Sequence, residues 1–279
     1  MTITTRDQLI AALGNNSSRV VIDKASIAST VAGQTHSLWR ALGVPGQGAI
    51  PAGALVPTYL TTGAINFVQQ TVPATSYLAQ LFMGGSNSAT TNEIHDRLCH
   101  MGGLSGTLTT AQTVGIDLST LLASNNLDAR KGANDFSDVQ FFLEWYTDTG
   151  ATVATATVNV TYNDGTTGNL TGISLAATRR ASFMVALNLY IPAAASGKFI
   201  RGVNTVTLSA TTGTAGSFGV TATRLRAVVP VLLANKAEVY DWAQLGLPEV
   251  VNESCLFLIQ VASTTTTGTL RGGCKVAHG

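Results

Sequence analysis

A chain of 279 residues is long enough to bury one large core or two of medium size, so it does not depend on a partner merely to fold. Only 11% of its residues are charged while 45% are hydrophobic, against about 25% charged in an ordinary soluble protein. A net charge of +1, with no Lys/Arg run longer than Arg179-Arg180, excludes the basic footprint of a nucleic-acid binder.

In chain order, the first element is a helix. Thr5-Arg6-Asp7-Gln8 is a Thr-x-x-Gln capping box, followed by Leu9, Ile10 and Leu13 at helical spacing and by Gly14 as a stop, which predicts about ten helical residues. From Ala32 to about Thr75, glycines and prolines from Gly33 to Pro73 interrupt the apolar residues without any period, as in an extended, loop-rich arm. Residues 76 to 135 mix short helices, around Tyr77 to Phe82 and Asn92 to Cys99, with Gly-rich breaks. The turn cluster Lys131-Gly132-Ala133-Asn134-Asp135 then suggests a division into 1–135, comprising helix, arm and a mixed α/β region, and 136–279.

Beyond it, strand patterns dominate. Val139, Phe141, Leu143 and Trp145 share one face, with Gln140, Glu144 and Tyr146 outward on the other. Ala154 to Tyr162 alternates apolar and polar residues, and Asn163-Asp164-Gly165 supplies a tight hairpin turn. Val206, Leu208 and Ala210 lead through a Gly-rich loop, Thr211 to Gly216, into Phe218, Val220 and Ala222 as a second hairpin. Cys255 to Val261 is an apolar run turned by Thr264 to Gly268 into Thr269 to Val276. The fold class expected is mainly β: an antiparallel β-sandwich or jelly-roll body in the C-terminal half, with a short N-terminal helix and an extended arm.

The charge deficit belongs to the surface. Thr, Ser, Asn, Gln and Gly stand where Lys and Glu usually do, and Lys occurs only at 24, 131, 198, 236 and 275. Such a surface is easily desolvated and suits burial between subunits, though a Thr-rich secreted β-protein has the same composition. The N-terminus lacks the basic start and apolar stretch of a secretory signal, and no 18 apolar residues run together, so synthesis in the cytoplasm without a membrane span is expected. Cys99, Cys255 and Cys274 are odd in number and read as reduced, buried thiols.

Several segments resemble those of virion structural proteins of tailed bacteriophages. They are Phe141 to Gly150, Leu175 to Arg180, Gly213 to Arg224 and Asp241 to Pro248, joined by His36 to Pro45. The resemblance implies a protein present in many copies on the particle, as a head decoration or cement protein clamping neighbouring capsid subunits. Its partners would be copies of itself, in a trimer or another ring, and the major capsid protein, with neither nucleic acid nor membrane involved. Tail-tube, head-to-tail adaptor and receptor- or glycan-binding proteins share this composition. No pattern matches the long spine helix of a main shell protein.

Chemistry finds little support in the sequence. His95 and Cys99, four apart, would share a helix face, but no second cluster completes a metal site. His36 and His278 lie in no hydrolase motif, and Gly213 to Gly216 does not lead into a helix as a phosphate loop does. Asp135, Asp138, Glu144, Asp148 and Asp164 could pair as glycosidase carboxylates, or stand as solvated or interface groups. The expectation is no enzyme and no cofactor. Arg179 and Arg180 would either pair with carboxylates across a subunit contact or sit solvated at a strand end. Trp145 is placed in the core, and Trp39 and Trp242 as interface anchors. The arm would bury Trp39, Leu42, Ile50, Val56 and Phe67 against neighbours.

Overall fold

The computed structural model describes residues 3–175, 177–214 and 216–279. It is mainly β and antiparallel, with one closed six-stranded barrel among its sheets. Helix α1 spans Arg6–Asn15, and strands β1 (Ser17–Lys24), β2 (Thr35–Ser37), β3 (Gly43–Val44), β4 (Ser76–Gly85), β5 (Thr90–Ser105) and β6 (Gln112–Asp117) follow. After α2 (Leu118–Ser124) come β7 (Val139–Trp145), β8 (Ala154–Tyr162), β9 (Thr167–Leu175), β10 (Phe183–Ala186), β11 (Ile200–Leu208) and β12 (Ser217–Val231). The chain ends with β13 (Ala237–Asp241), α3 (Trp242–Leu245), β14 (Glu249–Val250), β15 (Leu256–Val261) and β16 (Leu270–His278).

Two compact units result, and neither is contiguous in sequence. The first takes residues up to Ala49, Thr58–Asp96 and Arg226–Gly279; the second takes Ile50–Pro57 and Arg97–Leu225. The divisions fall inside β5 and β12, two long strands that each contribute to both units. The turn cluster at 131–135 lies within the second unit, between a 3₁₀ turn at Asp128–Lys131 and β7, because strands on both sides of it share one core.

In the first unit one sheet runs in the order β13-β4-β16-β1-β3, with β14 also pairing β4. β15 pairs with β2 and with the first part of β5, Ile259 facing Ser37 and Leu258 facing Ile94. Its core gathers Ile22, Phe67, Leu81, Met83, Leu258, Cys274 and Val276. The second unit holds a sheet of order β6-β11-β8-β9 and a ladder in which β7 pairs with β10 and with the start of β12. Trp145, Phe141, Val158, Val160, Ile173, Val206 and Phe218 fill its core.

The capping box forms as its residues dictate: Gln8 N–H donates to Thr5 Oγ1 at 3.3 Å, and Thr5 N–H to Gln8 Oε1 at 3.1 Å. Gly165 takes a positive φ of 85° in the β8–β9 hairpin. The two short helices expected at 77–82 and 92–99 are instead β4 and β5. β5 is buried without interruption from Ile94 to Met101, so it lacks the alternation that marks a half-exposed strand. In β4 the pairing with β16 slips between Lys275 and Val276, placing Leu78 and Ala79 both inside and breaking the period of two.

Two expected hairpins are also corrected. β11 pairs with β6 and β8, whereas β12 pairs with β7, so Thr211–Gly216 links different ladders. β15 and β16 likewise lie in different sheets. Each of these strands already has partners on both edges.

Candidate functional site

The interface residues expected from sequence are mostly spent inside the chain. Trp39 is fully buried: its indole N–H donates to Ala49 O at 2.8 Å, and its ring meets Phe257 edge-on at 6.0 Å between centroids. Gly48 and Gly63 press on that ring, and a Cβ at Gly48 would lie 2.0 Å from Trp39 Cε2. Phe67 is 3% exposed and packs against Tyr59. The segment expected to reach over neighbours therefore folds back on its own chain at Trp39 and Phe67, because the glycines let the backbone close around the indole. Val56 packs partly buried on the second unit's core, and Ile50 is half-buried. Trp242 rests half-buried on Leu9, Ala12, Ala79 and Ala277.

Arg179 stacks over Phe183 at 4.3 Å and donates to Ser174 O at 2.7 Å. Arg180 reaches Asp148 at 2.6 Å. Of the eight residues only Leu42 remains largely exposed, at 63%.

Sequence reasoning missed a network of buried polar groups in the second unit. Arg97, Glu144, Thr221 and His100 come from β5, β7 and β12 and are buried. The Arg97 guanidinium donates to both Glu144 oxygens at 2.9 Å and to Thr221 Oγ1 at 3.2 Å. Thr221 and Tyr146 both donate to Glu144 Oε2, Tyr146 at 3.5 Å. Glu144 is thus inward, contrary to the alternation read for β7, since its charge is met by a cation rather than by water.

Arg97 also donates to His100 Nδ1 at 2.9 Å. A guanidinium has no acceptor, so His100 carries its proton on Nε2. Burial, then the Arg97 charge, pushes the His100 pKa down to about 2. Burial and the neighbouring Glu144 push Tyr146 well above the ordinary phenol range. Arg130 donates to Pro57 O and Arg97 O, each at 2.8 Å, tying the Ile50–Pro57 segment to β5. The network fixes the register of three strands; its groups are sealed from solvent.

The first unit has a smaller counterpart. Lys24 is 2% exposed, and its ammonium donates to the carbonyls of Ala41, Pro45 and Gly46 at 3.1, 2.6 and 3.4 Å. Burial lowers its pKa to about 8. His95 pairs with Glu93 at 2.9 Å on a strand, not a helix, and Cys99 belongs to the second unit's core. Among the described residues no three His, Cys, Asp or Glu side chains gather as a metal site requires. Among the described residues no helix is long and apolar enough to cross a membrane.

The exterior differs in kind. Many surface charges close on one another, as in Lys198–Asp164 at 2.8 Å, Arg201–Asp117 at 3.1 Å and Arg224–Asp138 at 3.2 Å. Beside β1 runs a groove lined by Ser18 to Val21, Val44, Tyr59 and Asn66 to Gln69. Val21, Val44 and Val68 stand at its walls, each half or more exposed.

Neither a family model nor a curated protein matches this chain. Among solved structures it is similar to infectious bursal disease virus, Gt strain, at 11% identity over 93% of this chain and 81% of that one, with a TM-score of 0.19. The VP2 subviral particle of the same virus gives 10% identity, the same coverages and a TM-score of 0.18. Scores at this level do not establish a common fold, so function is argued from the chain's own surface.

Proposed function

We propose that this protein is a non-enzymatic structural subunit of a virus particle, a decoration or cement protein on a tailed-phage head that bridges neighbouring capsid subunits. Its partners are copies of itself, in a trimer or another ring, and the major capsid protein; nucleic acid, membrane and cofactor take no part. It is made in the host cytoplasm and resides in the virion. The observation that carries this reading is the exterior: a surface poor in ions, many of them already paired, interrupted by an apolar groove at a sheet edge. Such a surface loses little on desolvation and gains about 25 cal/mol for each Å² of apolar area covered. The buried charges of the second unit act on its interior alone, holding a rigid platform.

Copy number per particle tests the proposal, by quantitative mass spectrometry of purified virions against the major capsid protein. Hundreds of copies in a fixed ratio to that protein support a head decoration. A dozen or fewer move the chain to the tail.

A further inference from the structure

Inside the first unit, β2, β15 and the first part of β5 present rows of side chains on one face. Their registers set Leu38 beside Leu258 and Ile94, and two residues further on His36 beside Gln260 and Asn92. In the next row Ala262 N–H donates to Gln34 O at 3.1 Å, and the same register brings Thr90 opposite Ala262. Leu38, Leu258 and Ile94 belong to the unit's hydrophobic core, so all three rows point inward. The core is apolar in the first row and polar in the other two.

These polar side chains are buried but incompletely bonded. His36, Thr90, Asn92 and Gln260 are each at most 2% exposed. Gln260 Nε2 donates to Asn92 Oδ1 at 2.8 Å, and Val31 N–H donates to His36 Nε2 at 3.3 Å. Asn92 Nδ2, Gln260 Oε1, Thr90 Oγ1 and Gln34 Oε1 are buried atoms with no hydrogen-bond partner among the described residues. Several unmade bonds in one core are costly, and native interiors meet such groups with bound water. Ala262, between Gln34 and Thr90, contributes only a methyl group, so the polar ends surround the shortest side chain of the two rows.

The chemistry of the four atoms selects the ligand. Asn92 Nδ2 donates, Gln260 Oε1 and Gln34 Oε1 accept, and the Thr90 hydroxyl does either. A cation would leave the amide donor unmet, and an anion the two carbonyls. Burial keeps His36 neutral, its pKa lowered to about 4, so no ionised side chain stands in either row. Water, with two protons to give and two lone pairs, meets all four. We propose that the first unit binds a water molecule over Ala262, which donates to Gln34 Oε1 and Gln260 Oε1 and accepts from Asn92 Nδ2 and Thr90 Oγ1. The water joins β2 to β5 across the intervening β15 and completes the polar end of the core. Binding needs no second chain, so the site stands whether or not copies assemble.

Magnetic relaxation dispersion of the water oxygen tests it, because it counts molecules held inside a protein and is blind to proton exchange from hydroxyls. Asn92→Leu/Gln260→Met removes the amide pair and fills its place with apolar atoms. The dispersion amplitude should fall by about one water against the parent, with circular dichroism unchanged. An equal amplitude in the two folded proteins overturns the site. Thr90→Val keeps the shape of the side chain and removes one of the four bonds, so it serves if the double variant fails to fold. The residence time of the water should shorten about fivefold, as loss of one hydrogen bond implies, and an unchanged residence time overturns the site equally. In a high-resolution crystal structure, solvent density should lie within hydrogen-bond distance of Thr90 Oγ1, Asn92 Nδ2 and Gln260 Oε1; side chains turned onto protein partners with no such density contradict it.

Discussion

Replacing Glu144 by Leu removes the carboxylate that accepts from the buried Arg97 guanidinium where β5, β7 and β12 meet. Breaking a buried pair from one side leaves an ion in a medium that cannot solvate it, which destabilises by about 3–5 kcal/mol. Thr221 and Tyr146 lose their acceptor at the same time. The double variant Arg97→Met/Glu144→Leu removes both charges and retains apolar volume, so it should recover most of that loss and stay within about 1–2 kcal/mol of the parent. Guanidinium chloride unfolding followed by tryptophan fluorescence reads both, because Trp145 lies in the same core. A Glu144→Leu variant within 1 kcal/mol of the parent would refute the reasoning, as would a double variant no better than the single one.

Acid should begin to destabilise the protein before its carboxylates titrate. His100 and His36 are buried with pKa values pushed down to about 2 and about 4, chiefly by desolvation. As pH falls below the unfolded value near 6.5, the unfolded chain binds protons that the native chain refuses, so stability drops by about 1.4 kcal/mol per pH unit for each. Stability that stays flat between pH 6 and 4.5 contradicts this, and His100→Gln should roughly halve the slope. Gly48→Ala should disrupt the Trp39 pocket, where its Cβ would overlap the indole, and lower the denaturation midpoint together with the native fluorescence of that site. Native protein should leave a thiol reagent unreacted, since Cys99, Cys255 and Cys274 are buried and the first and last have pKa values raised to about 12; all three should react in denaturant.

Local chemistry was the legible part of the sequence. The Thr5 box, the Asn163–Gly165 turn and the alternation of β8 each depend on residues a few positions apart, and each forms where its residues place it. What depended on distant partners was not legible. β5 is covered on both faces, so its apolar run carries no period, and β11 and β12 each have partners elsewhere despite an inviting loop between them. Glu144 reads as outward because alternation assumes that a carboxylate seeks water, and the cation that overrides it stands 47 positions away. Trp39 and Phe67 read as free anchors because Gly/Pro-rich sequence does not reveal what it closes around; the one available signal was Gly48, whose missing side chain makes room for the ring.

Sedimentation velocity of the purified chain, from low micromolar to near-millimolar concentration, addresses the central claim that its ion-poor exterior is covered by other copies. The account predicts discrete species at multiples of 28.9 kDa that grow with concentration and persist in high salt, as apolar contacts do. A single 28.9 kDa species at every concentration would contradict it.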